Sequence, residues 1–168
     1  MSFLSLSRTG VILLFASLAL AGCSRGMMGG AGADGAGGLA GSASDPTSPA
    51  YFNTVVGDRV LFQVDQSTLT PAAMSTLDGQ VAWLMANPEY TALIEGHADE
   101  QGTREYNLAL GARRASSVRD YLVAAGVPDA RLRTISYGKE RPLEICSNEA
   151  CYMQNRRSVT VISAGPGV

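Results

Sequence analysis

From Tyr51 onward the chain alternates short runs rich in β-branched and aromatic residues with longer runs whose apolar positions recur every three or four residues. This alternation restricts the fold more than any other feature. Strands separated by helices need crossover connections, which lay the helices as one layer against a sheet. Arg59–Val64 reads as a first strand. Thr70 is an N-cap, Pro71 suits the first helical position, and Leu69 can staple onto Met74. Met74, Leu77, Val81, Leu84 and Met85 then form one stripe, ended by Asn87-Pro88. Tyr90–Gly96 is a second strand, and Thr103 caps a long helix from about Arg104 to Ala125, stopped by Gly126-Val127-Pro128. Leu132–Tyr137 and Ser158–Ile162 are the third and fourth strands, with a polar loop between them. The fold class is α/β: a two-layer sandwich with two main helices on a four-stranded mixed sheet. The expected domain spans residues 51–163, with residues 164–168 as a tail.

What precedes Tyr51 is built differently. Arg8 is followed by an apolar run of 12 residues from Gly10 to Ala21, then Gly22 and Cys23. The run is too short to span a bilayer, which takes about 20 residues, and reads as a secretory signal over residues 1–22. Leu20-Ala21-Gly22-Cys23 resembles the bacterial lipobox, which implies lipidation at Cys23, removal of the signal, and, with Ser24 next, delivery to the outer membrane. The stretch that follows, within residues 23–50, is dominated by Gly, Ala and Ser and reads as a flexible tether. Without Arg8 the chain carries 12 Lys+Arg against 15 Asp+Glu, an acidic balance that gives no footprint for nucleic acid. Assigning Cys23 to lipid leaves Cys146 and Cys151 as an even pair, and in an oxidising periplasm a disulfide is the expectation. A metal site would want about four ligands, and the one histidine, His97, is far away in sequence. No cofactor is implied.

The long helix holds a local conflict. At about 100° per residue, Leu110, Tyr121, Ala125, Val118, Leu122, Ala115 and Leu108 share one half of the wheel. Arg114 sits in that half as well, and Asn107 lies seven residues before it on nearly the same line. A buried guanidinium needs a partner. Asp99, at the end of the second strand, is the candidate. The pair is either a closed ion pair locking strand to helix or two halves of a ligand site.

The run Gly96-His97-Ala98-Asp99-Glu100-Gln101-Gly102-Thr103-Arg104-Glu105-Tyr106-Asn107-Leu108-Ala109-Leu110-Gly111-Ala112-Arg113-Arg114-Ala115 resembles the signature of the OmpA-like peptidoglycan-binding domains. Ser136–Pro142 and Asn155–Val159 match the same family, so the resemblance covers about residues 55–163. It implies that Asp99 and Arg114 bind the diaminopimelate of the peptidoglycan stem peptide, Arg114 taking a carboxylate and Asp99 an ammonium. Asn107 would orient the same amino acid, Val64 and Asp65 would border the pocket, and Leu110 would form an apolar wall. It further implies a lipid-anchored, periplasm-facing protein of the outer membrane that ties the membrane to the wall, exchanges with a TolB-like periplasmic partner, and serves the Tol system during cell division. The alternative is a lipoprotein of the same fold outside that system. Val64 replaces a commoner aromatic, which removes one wall of the pocket. Enzymatic cleavage of the wall is disfavoured, because no second His and no nucleophile-elbow motif occur. On this reading Arg114→Ala should abolish binding and leave the fold intact.

Overall fold

The computed structural model describes residues 41–145 and 147–165. Within them, α1 (Pro49–Tyr51) runs into a π-helical turn (Phe52–Gly57), followed by β1 (Arg59–Leu61), α2 (Pro71–Ala86), β2 (Tyr90–His97), α3 (Arg104–Ala124), a 3₁₀ turn (Asp129–Arg131), β3 (Leu132–Gly138), α4 (Glu149–Asn155) and β4 (Arg157–Ala164). The sheet order is β1-β4-β2-β3. β2 and β3 run parallel, and β4 is antiparallel to both β1 and β2, so the sheet is mixed, as expected.

The two main helices begin where the capping residues place them. Thr70 accepts from Ala73 N at 3.1 Å and Thr103 from Tyr106 N at 3.2 Å. Val60, Ala92, Ile94 and Thr160 point inward from the sheet and meet Leu77, Leu84, Ala115, Val118 and Leu122 from the helices. α3 lies close against β2 because both carry glycine at the crossing. A Cβ on Gly96 would fall 1.8 Å from the Gly111 carbonyl oxygen, and one on Gly111 would fall 2.4 Å from Ser136 Oγ.

Four expectations need correction. The folded part starts before Tyr51: Ser48 caps α1, and Trp83 Nε1 donates to Pro46 O at 2.7 Å, because a buried indole N–H requires an acceptor. β1 stops at Leu61 instead of Val64, because the Gln63 and Gln66 carbonyls turn away to Arg114 and Asp65 takes a left-handed φ of 55°. Met85 lies outside the core, where Trp83 takes its place between Phe52 and Tyr90, with ring centroids 4.9 and 5.1 Å away, and Leu108 and Ala125, near the two ends of α3, are exposed as well. The polar loop before β4 contains α4, capped by Asn148. This helix is only 7 residues long and has little apolar periodicity to announce it.

Candidate functional site

Three segments meet at one end of the sheet: the loop after β1, the loop from β2 into α3, and the first turns of α3. They enclose a cleft of about 270 Å³ whose lining includes Val64, Asp65, Asp99, Asn107 and Leu110, five of the six positions expected to contact ligand. Gln101, Gly102 and Tyr106 complete it. Val64 stands half-exposed on the rim, while Leu110 is a buried floor.

The loop from β2 is held from within. Asp99 Oδ1 accepts from Gln101 N at 3.2 Å, and Asn107 Nδ2, fully buried, donates to Gln101 O at 2.7 Å. Gly102 has φ +91°, a conformation that side chains rarely adopt, and this lets the chain turn into the Thr103 cap. Lys139 Nζ donates to Gly102 O at 2.7 Å. Across the cleft, the Tyr106 hydroxyl donates to Asp65 Oδ1, tying α3 to the loop after β1.

Arg114 does not do what its place on the wheel suggested. It is 0 % exposed, and among the described residues its hydrogen bonds go to backbone carbonyls. Its Nε donates to Gln66 O at 2.8 Å, Nη1 to His97 O at 2.8 Å and Nη2 to Gln63 O at 3.1 Å, while its guanidinium lies 5.2 Å from the Phe62 ring centroid. The reason is geometric: five N–H donors in a planar fork suit converging carbonyls, and the loop after β1 supplies two of them. Arg114 therefore forms the cleft's foundation, setting the loop that carries Val64 and Asp65 against the end of β2. Burial lowers its pKa to about 10, with the Asp99 and Asp65 charges opposing the fall, so the cation persists at neutral pH.

Of the two readings open for Asp99 and Arg114, the closed ion pair does not form among the described residues; Asp99 pairs with Arg156. Asp99 Oδ2 accepts from Arg156 Nη1 at 3.1 Å, and Arg156 also pairs with Glu149 at the start of α4. Arg156, Tyr106 and Gln101 are the site residues that the sequence reading missed. No local pattern announces Arg156: it ends α4 just before β4, and both it and Arg157 are buried. His97, next to the site, is buried, with its Nε2 3.4 Å from Glu95 Oε2. Burial, reinforced by the Arg157 and Arg141 charges, lowers its pKa to about 4. Cys151, on α4, is disulfide-bonded. Cys146 and Cys23 lie outside the described residues, as does most of the expected tether.

The cleft thus presents carboxylates, a buried amide and an apolar floor, with two guanidinium groups packed beneath it. The architecture defines the OmpA class of domain, and the family model described as OmpA family matches residues 61–156. Over 161 residues the chain is 52 % identical to the peptidoglycan-associated lipoprotein of Rhizobium meliloti, covering 90 % of this chain and 86 % of that protein. It is 50 % identical to the protein of the same name from Brucella melitensis, covering 95 % of each. The crystal structure of the peptidoglycan-associated lipoprotein from Burkholderia pseudomallei superposes with a TM-score of 0.64 at 37 % identity, covering 72 % of this chain and 98 % of that one. The chain belongs to the OmpA family and, within it, to the peptidoglycan-associated lipoproteins.

Proposed function

We propose that this protein is an outer-membrane lipoprotein that binds peptidoglycan without a covalent bond, taking the diaminopimelate of the stem peptide into the cleft between Asp65, Asp99 and Asn107. The observation that carries this reading is the pairing of two acidic side chains with an apolar floor in one cleft of about 270 Å³. Diaminopimelate has an aliphatic stem ending in an ammonium and a carboxylate. The stem lies over Leu110 and beside Val64, the ammonium meets Asp99 and Asp65, and Asn107 holds the Gln101 carbonyl in place. Arg114 contributes through its charge and through the loop that it shapes. Three of its five N–H groups are committed to backbone carbonyls and the side chain is enclosed beneath the cleft, so it acts on the ligand carboxylate through its field.

The remainder of the reading follows from family membership together with the N-terminal sequence. A lipid on Cys23 anchors the chain in the outer membrane with the domain facing the periplasm, and the Gly-rich segment lets it reach the wall. A disulfide joins Cys146 to Cys151. A TolB-like periplasmic protein is the exchange partner in a Tol-Pal system that keeps the envelope intact during constriction. The role is binding and tethering, not catalysis. The test is sedimentation of the purified domain with intact sacculi, competed with free diaminopimelate. The wild type co-sediments and is released by the competitor, whereas Asp99→Asn stays in solution. Retention of Asp99→Asn at the wild-type level, or release of muropeptides by the wild type, overturns the reading.

A further inference from the structure

We propose that Arg156 is the positioning residue of the cleft: it fixes the Asp99 carboxylate at the angle at which a ligand ammonium is received, and Glu149 on α4 fixes Arg156. This rests on the peptidoglycan-binding reading of the cleft. Asp99 hangs from a loop and is 8 % exposed. From within its own loop it receives one bond, from Gln101 N. The second comes from Arg156, across 57 residues of chain. An ionised carboxylate has about four acceptor sites, so two bonds orient it and leave capacity for an ammonium.

Arg156 is well placed to orient another group because it is itself immobilised. It is 3 % exposed and sits where α4 ends and β4 begins. Its N–H donates to Tyr152 O at 3.0 Å, and its carbonyl accepts from Phe62 N at 2.8 Å. Its Nη1 reaches Asp99 Oδ2 at 3.1 Å and Glu149 Oε2 at 3.5 Å, and Nη2 pairs with Glu149 Oε1. One cation is thus shared by two carboxylates. With Arg114 beneath and Asp65 on the cleft wall, the charged group at the site still sums to one negative charge, which Glu149 supplies. As an acid in the first turn of α4, Glu149 also suits the helix terminus. α4 reaches the same wall at a second point: Ser147 Oγ and Tyr152 Oη both donate to Glu100 Oε1, at 2.9 and 3.0 Å.

Charge and positioning predict opposite signs, which makes the proposal testable. If Arg156 acted only through its charge, its removal would leave the cleft more negative and tighten its hold on an ammonium. If it positions Asp99, its removal weakens binding. Affinity of the purified domain for a diaminopimelate-containing stem peptide is measured for wild type, Arg156→Gln, Arg156→Lys, Glu149→Gln and Asp99→Asn, at a temperature where circular dichroism finds each variant folded. Arg156→Gln is expected to weaken binding about tenfold, a loss typical of one charge-assisted hydrogen bond. Arg156→Lys, which keeps one donor, recovers part of it. NMR of the Asp99 side chain shows a single rotamer in the wild type and averaging in Arg156→Gln. Should Arg156→Gln fail to fold, Arg156→Lys carries the test: it keeps the charge, so charge alone predicts unchanged binding, whereas loss of the guanidinium fork predicts a weakening of about threefold. Unchanged or tighter binding in the folded Arg156→Gln domain, or in Arg156→Lys where that variant carries the test, overturns the positioning role. Unchanged binding in Asp99→Asn overturns the reading of the cleft itself.

Discussion

Replacing Arg114 with alanine should damage the fold before it reveals anything about the ligand. The side chain donates to three carbonyls, of His97, Gln63 and Gln66, and is fully enclosed. Hydrogen bonds from a charged donor contribute about 1.5–3 kcal/mol each, but the carbonyls of the exposed Gln63 and Gln66 can turn to water when the donor is lost. The His97 carbonyl lies in a buried bond and stays unpaired, at a cost of about 1–3 kcal/mol. Burial already works against the charge, as its lowered pKa indicates, which places the total at the lower end, about 3–4 kcal/mol. A domain of this size has roughly 5–15 kcal/mol in all, so the variant loses a large fraction of its stability. Urea unfolding followed by circular dichroism measures this, with Arg113→Ala, an exposed neighbour, as the control expected within about 0.5 kcal/mol of wild type. An Arg114→Ala domain that unfolds within about 1 kcal/mol of the wild type, yet no longer binds sacculi, would contradict this supporting role and favour the direct ligand contact that the family resemblance implies.

Other outcomes follow from single residues. His97 takes up a proton near pH 4 in the folded protein and near 6.5 in the unfolded chain, so its contribution is fully present above about pH 6.5 and is lost as pH falls toward 4. The loss reaches about 3 kcal/mol. His97→Gln should flatten that limb of the stability profile, and an unaltered limb would contradict it. Gly96→Ala drives a methyl into the Gly111 carbonyl at 1.8 Å and should lower Tm by more than about 10 °C in calorimetry; a wild-type Tm would contradict the close crossing of β2 and α3. Cys23→Ser should release the protein from the outer-membrane fraction, and normal fractionation would reject lipidation there.

Much of the fold was legible because its signals are local. Thr70-Pro71 and Thr103 each announce a helix start by capping chemistry within four residues, and β2 and β3 end close to where their patterns break. The cleft lining was legible where residues sit near each other on one element, as Asn107 and Leu110 do on α3. The partner of Asp99 was not, because Arg156 is 57 residues away and α4, which brings Glu149 to it, has no apolar period of its own. Arg114 shows the limit of wheel reasoning. The wheel correctly placed a guanidinium on the buried face, but a buried cation can be satisfied by carbonyls as well as by carboxylates. Only the path of the loop after β1 decides which.

The proposed cleft reads an ammonium through Asp99. The most direct measurement is isothermal titration of the domain with two stem peptides, one carrying diaminopimelate and one identical but lacking the free side-chain amine. Binding of the first, with loss of the second to background, is the predicted result, and Asp99→Asn should no longer tell the two apart. Equal affinity of the wild type for both peptides would contradict the claim.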